Sequence, residues 1–294
     1  STLDEAWFLR GVAKYYLNDF QGARNDLNKT LFRNPLLSNA YLYRAIVNSK
    51  LSRYSQAITD LEMAIDLRPN FAIAYFNRGI TYILVNEHEK AIADFTKTIN
   101  LEHKNTDAWI NRGTARLLNK DTTGAISDYS HATKLNPFYS ESYSKRGRVY
   151  YEMGSFHLAN EDFDKAIKYD SSASINYFLR ALTKNSLKKH HEAINDLNIA
   201  VNLNPDNALT LYNRGLIKWQ IGNSNEALAD FNRVAELNPE NTLIYYNRGI
   251  LLYEIKKYTE AISDFTSAIE LFPDFAKAYM GRSAAYFMAG NQVK

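Results

Sequence analysis

The chain has 294 residues, of which 46% are hydrophobic and 23% charged, with a formal net charge of +3 and no cysteine. That composition is ordinary for a folded protein, it excludes disulfides and thiolate metal sites, and the even mixing of Lys/Arg with Asp/Glu speaks against nucleic acid as a partner, since such binders cluster their basic residues. No apolar run approaches the roughly 18 residues of a membrane helix, so no membrane insertion is expected; a soluble chain in the cytoplasm is favoured, although missing cysteine by itself fixes no compartment.

A repeat organises everything that follows. The prolines are Pro35, Pro69, Pro137, Pro205, Pro239 and Pro273, at spacings of 34, 68, 68, 34 and 34. His103 and Ser171 stand at the two skipped places. One register therefore runs through the chain, and placing the proline at position 32 divides it into units 4–37, 38–71, 72–105, 106–139, 140–173, 174–207, 208–241 and 242–275, with a partial unit 276–294. We expect a single array over 4–294.

Within each unit the predicted elements come in the same order. A first helix carries an aromatic at position 4, as in Trp7, Tyr41, Tyr75 and Trp109, and a small residue at position 8, as in Gly11, Ala45, Gly79 and Gly113. A polar or Gly-containing turn follows near position 15, as in Glu152–Ser155. A second helix has alanine at position 20 in every complete unit and a large apolar residue at position 24, such as Phe95, Tyr129 and Phe231. Apolar residues at three- and four-residue steps, such as Ala91, Ile92, Phe95 and Ile99, set the helical period. Small residues at positions 8 and 20 let the two backbones approach, and the large ones fill the space around that contact. Proline then ends the second helix, because it lacks an amide donor and disfavours a helical residue before it. Neither helix buries its apolar face alone, so neighbouring hairpins must stack.

This pattern resembles the tetratricopeptide repeat family, over essentially residues 4–294. The resemblance implies an all-α, right-handed superhelical solenoid of antiparallel helix pairs, whose first helices line a concave groove where partners bind. It implies a protein–protein interaction scaffold for a peptide or helical segment, without a cofactor and without catalysis. The alternative is an accessory, substrate-recruiting repeat region of a larger enzyme such as a glycosyltransferase.

Two positions depart from the commonest family pattern. Position 7 is arginine in all nine units and position 23 is aspartate in all eight complete ones, including Arg78 with Asp94, Arg112 with Asp128, Arg214 with Asp230 and Arg248 with Asp264. Both lie beside the close-contact positions on antiparallel helices, so we expect structural ion pairs, within a unit or across to the next, that fix hairpin register. A ligand-gripping charge ladder is the rival reading.

By analogy with the family, positions 2, 5, 6, 9, 12 and 13 of each first helix face the groove. Position 6 contributes Asn77, Asn111, Asn213 and Asn247, similar to the groove asparagines of the O-GlcNAc transferase repeats; an amide both donates and accepts, and suits an extended backbone. Position 5 contributes Phe76, Tyr212 and Tyr246, the kind of side chain that anchors interfaces. The fifth unit adds Lys145 and Arg148 on one helical face, suited either to an acidic partner group or to pairing with Glu141 and Glu152. The carboxylate clamp of heat-shock chaperone co-factors is disfavoured, because position 5 is never Lys and position 9 never Asn.

No phosphate loop, dinucleotide fingerprint or His-Glu-x-x-His spacing occurs, so neither a catalytic nor a metal site is expected. His88, His157, His190 and His191 fall at or near turns. The last helix stops before the alanine of a second one and would expose an apolar face that arrays avoid. Either the natural protein continues, or a homotypic contact forms through this open end.

Overall fold

The computed structural model describes residues 2–290. The chain divides into two compact units between Arg146 and Gly147. In the first unit, α1 (Thr2–Tyr16) packs on α2 (Phe20–Arg33), α3 (Ser38–Lys50) on α4 (Tyr54–Leu67), α5 (Ala72–Leu84) on α6 (His88–Leu101), and α7 (Thr106–Leu118) on α8 (Thr122–Leu135). The division falls inside α9 (Ser140–Glu152). In the second unit α10 (Phe156–Tyr169) is followed by α11 (Ser174–Ser186) with α12 (His190–Leu203), α13 (Ala208–Gln220) with α14 (Ser224–Leu237), α15 (Thr242–Glu254) with α16 (Tyr258–Leu271), and α17 (Ala276–Met288). Among the described residues there is no strand. The fold is an all-α repeat of antiparallel helix pairs, and each odd-numbered helix from α3 on opens at the first residue of a sequence repeat.

The turn inside each pair is set by one backbone conformation. Position 15 is left-handed in every unit, from Asn18 and Ser52 through Lys188 and Gly222 to Gly290, with φ between 57° and 85°. Glycine occupies only three of these places, so Asn, Ser and Lys carry a conformation that L residues avoid. The exit from each second helix is equally uniform: the capping residue is extended, with φ from −130° to −145°. Glu102 and Asp170 adopt it although His103 and Ser171 replace the following proline. Packing of the next hairpin, and not proline alone, therefore ends these helices.

The core repeats as well. Every position-20 alanine is fully buried, and Leu27, Leu61, Phe95, Tyr129, Phe163, Leu197, Phe231 and Phe265 are buried with it. Glycine at position 8 is a matter of space: a Cβ on Gly215 would lie 2.6 Å from Phe231 Cε1, and one on Gly79 would lie 2.8 Å from Phe95 Cε1. In the second and sixth units position 24 is the smaller Leu61 or Leu197 and position 8 is Ala45 or Ala181, with both members buried, whereas the first unit keeps Gly11 opposite Leu27. In those two units the facing pair keeps its volume although both residues differ from the Gly–aromatic pair.

Candidate functional site

Arginine at position 7 and aspartate at position 23 meet in a fork inside the same hairpin. Arg78 Nε and Nη2 donate to Asp94 Oδ2 and Oδ1, each at 2.8 Å. The corresponding distances are 3.0 and 2.8 Å for Arg112 with Asp128, 3.0 and 2.6 Å for Arg214 with Asp230, and 2.7 Å for both bonds of Arg248 with Asp264. The aspartates are buried, at most 5% exposed. Two parallel charge-assisted bonds fix both direction and distance, which a single point charge cannot do.

The remaining Nη1 reaches the preceding hairpin. Arg44 donates to Asn28 at 2.9 Å, Arg112 to Thr96 at 3.2 Å, Arg146 to Ser130 at 2.9 Å, Arg180 to Asp164 at 2.7 Å, Arg214 to Asn198 and Arg248 to Asn232 at 3.0 Å each, and Arg282 to Thr266 at 3.3 Å. In each of these bonds the acceptor stands at position 25, and Arg146 Nη1 also reaches Thr133 at 3.4 Å. The guanidinium face lies over the position-4 ring, as in Arg112 on Trp109, 4.6 Å from its centroid. Position 11 often gives the aspartate a second partner: Lys14 on Asp26 and Lys184 on Asp196 at 2.9 Å, and Lys218 on Asp230 at 3.1 Å. The Arg10 guanidinium pulls the Asp26 carboxyl down to about 2, with Lys14 adding to it and burial opposing. The Asp94 and Asp264 carboxylates raise Arg78 and Arg248 above the ordinary guanidinium value against the cost of burial.

The first-helix faces show a different chemistry. Asn77 Nδ2 donates to Ile73 O at 2.7 Å, Asn111 to Asp107 O at 2.8 Å and Asn213 to Leu209 O at 2.8 Å, each one turn back on its own helix. These bonds set the amide orientation and leave Oδ1 without a protein donor among the described residues. Asn247 differs, since its Nδ2 donates to Tyr212 Oη on the neighbouring first helix at 2.6 Å. Burial pushes the Tyr212 hydroxyl up, and the Asn247 bond opposes that rise. Trp219 Nε1 makes a second link along this face, to Glu254 Oε2 at 2.6 Å. The rings of Phe76, Tyr212 and Tyr246 are half-buried and lean on Phe95, Phe231 and Phe265, with centroids 5.7, 5.9 and 6.1 Å apart.

On α9, Lys145 Nζ lies 3.8 Å from Glu141 and Arg148 Nε 3.0 Å from Glu152. Both basic groups are paired along their own helix, at an exposure where such pairs are weak. Among the described residues no group of His, Asp and Glu side chains is arranged to hold a metal, and no helix is long and apolar enough to cross a membrane. On α17, Met280 and Phe287 are about three-quarters exposed; Gln292, Val293 and Lys294 lie outside the described residues.

Reasoning from constant positions missed the position-25 acceptors and the position-11 cations. Both vary in type, among Asn, Glu, Thr, Ser and Asp in one case and Lys, Arg, Asn, Tyr and Leu in the other. The signal that would have found them is chemical: position 25 carries a side-chain oxygen in every complete unit.

Known proteins resemble this arrangement. A tetratricopeptide repeat model matches residues 212–274 and 246–294, another matches 72–105 and 140–172, and a TPR repeat model matches 47–85 and 181–222. No curated protein matches the sequence. Among solved structures, the APC/C hetero-tetramer Cut9–Hcn1 aligns at 19% identity and TM-score 0.61 over 90% of this chain, which spans only 52% of that chain's length. The C-terminal part of a TPR repeat-containing protein from Cytophaga hutchinsonii aligns at 16% identity and TM-score 0.68, covering 81% of this chain and 97% of that one. YrrB, a TPR protein with an unusual peptide-binding site, aligns at 20% identity and TM-score 0.51, covering 64% and 97%. At these identities the likeness is one of fold.

Proposed function

The chain belongs to the tetratricopeptide repeat family, and on that premise we propose that it is a binding scaffold that holds an extended peptide of a partner protein on its first-helix faces. The reading rests on one observation: the amides of Asn77, Asn111 and Asn213 are each tied by Nδ2 to their own helix, with Oδ1 left to accept. Fixed acceptors of this kind suit backbone N–H groups. An extended peptide offers those groups, whereas a helical ligand has already used them internally. Packed helices stand about 10 Å apart, close to the length of three extended residues, so Asn77 and Asn111 would meet every third residue of a ligand. Phe76 beside Asn77 and Tyr212 beside Asn213 supply half-buried rings for its apolar side chains. The peptide-binding site described for YrrB supports this class of ligand.

A peptide-display selection against the full chain, repeated with Asn77, Asn111, Asn213 and Asn247 all changed to alanine, tests the reading. Selected linear peptides should lose at least about tenfold in affinity, the order of one hydrogen bond, while helical content and melting stay as before. Peptides that bind both proteins equally would overturn it.

A further inference from the structure

A cleft of about 370 Å³ separates the first two hairpins, lined by Arg24, Asn28, Arg44, Asn48, Ser55, Gln56, Thr59 and Asp60. Its counterpart between the seventh and eighth hairpins, of about 280 Å³, is lined at the same repeat positions by Leu228, Asn232, Arg248, Leu252 and Asp264, with Lys257, Glu260 and Ser263. The two differ in charge. Position 21, which is Arg24 in the first unit, is Ile or Leu in six of the other seven units and Asn160 in the remaining one. A guanidinium therefore stands where the repeat otherwise packs a branched hydrocarbon.

That guanidinium is held but not neutralised. Arg24 Nε donates to Asn48 Oδ1 at 3.0 Å, and buried Asn48 passes its own Nδ2 to Asp60 at 2.9 Å. Asp60 is already gripped by Arg44, whose Nη1 is on Asn28. Arg24 forms no ion pair, and its two Nη groups have no protein acceptor among the described residues. Burial lowers its pKa, the charges of Arg53 and Arg44 add to that, and Asp60 opposes it. Two guanidiniums thus line the cleft with one carboxylate, and Arg53 acts on Arg24 from outside the lining, a local balance of +2. Ser55 and Gln56 sit exposed in the first turn of α4, which has no side-chain cap and no acidic residue there, so its amide dipoles add to the same sign. A carboxylate guest would cancel half of that charge, whereas a phosphate monoester, at about −1.5 to −2, would cancel all of it.

We propose that this cleft binds a phosphoryl group, with the Arg24 fork as the principal donor and Arg53 as an electrostatic support. The site is separate from the first-helix asparagines, so it stands or falls apart from the peptide reading.

Titration of the full chain with inorganic phosphate, with a phosphoserine peptide and with acetate, followed by calorimetry at low salt, tests it. Phosphate should saturate one site, and Arg24→Leu should weaken it at least tenfold. That variant also takes the donor from buried Asn48 Oδ1 and should melt slightly lower than the parent, so binding is compared at a temperature where both are folded. Arg24→Gln, which keeps a donor to Asn48, should lose the same binding and guards against a packing artefact. A phosphoserine peptide that binds tighter than free phosphate, with the same dependence on Arg24, would mark a phosphorylated protein segment as the source; equal affinities would mark a free phosphorylated small molecule. Acetate binding as tightly as phosphate, phosphate affinity untouched by both variants, or no saturable binding would each overturn the proposal.

Discussion

The sixth and seventh hairpins, 174–207 and 208–241, solve the same problem with different parts. The sixth faces Ala181 with Leu197, and the seventh faces Gly215 with Phe231; all but the glycine's absent side chain are buried. The sixth turns at Lys188 with φ of 64°, the seventh at Gly222 with φ of 85°. Arg180 holds two carboxylates, Asp196 and Asp164, whereas Arg214 holds Asp230 and the neutral Asn198. These two hairpins therefore preserve a backbone path, a summed volume and an oxygen at each joint. Residue identity follows from those three, which is why a strict consensus understates how closely the hairpins agree.

The largest expected break in that likeness is electrostatic. Asp230→Ala strands the mostly buried Arg214 and leaves Lys218 only the exposed Glu226, and should cost about 3 kcal/mol, as for other buried pairs that lose one partner. Asp196→Ala leaves Arg180 the exposed Asp164, so its cost should be about 1 kcal/mol smaller. Amide exchange in α14 and α12 reads the two locally, which suits an array whose hairpins open separately. Equal losses would mean that Asp164 contributes nothing.

Next comes packing. Gly215→Ala presses a methyl against Phe231 and should cost about 1–3 kcal/mol. Adding Phe231→Leu recreates the sixth hairpin's pair, and a urea melt of the double variant should recover most of that loss. A double variant less stable than Gly215→Ala alone would break the volume argument.

The turns should move least. Lys188→Gly relieves a left-handed lysine and should stabilise by about 0.5–1 kcal/mol, while Gly222→Ala should cost about as much. Thermal melts of the two should shift in opposite directions. Acid gives a smaller test in the first hairpin. Asp26 titrates lower folded than unfolded, so its contribution is complete above about pH 5 and is lost as pH falls from there toward 2. Asp26→Asn should flatten stability across that window.

Much of this was legible before any coordinates. The helices and their pairing follow from a period that no insertion disturbs, and the Arg–Asp fork follows from two charged types that never vary. What the sequence concealed depends on direction. Nothing in Asn-Arg-Gly says that Asn77 folds back on Ile73 while Asn247 crosses to Tyr212; neighbouring side chains decide that, and tyrosine at position 5 of the preceding unit is the local cause. Proline at position 32 suggested the helix stop, yet Glu102 and Asp170 stop without it. Arg24 stands in the sequence as the one charge at a position otherwise held by Ile, Leu or Asn160, a signal that the constant positions do not carry.

The Nη1 bond by which seven of the arginines reach the hairpin before them has a consequence for how such a gene can grow. The joint asks only that position 25 offer an oxygen, and Asn, Thr, Ser and Asp all serve. A 34-residue segment copied, deleted or moved in frame would arrive with its own arginine and its own position-25 oxygen, so each new junction would bring together a donor and an acceptor of the kind used here. The array is thus built from interchangeable cassettes, and its length is open to recombination while the specific clefts between cassettes remain free to diverge.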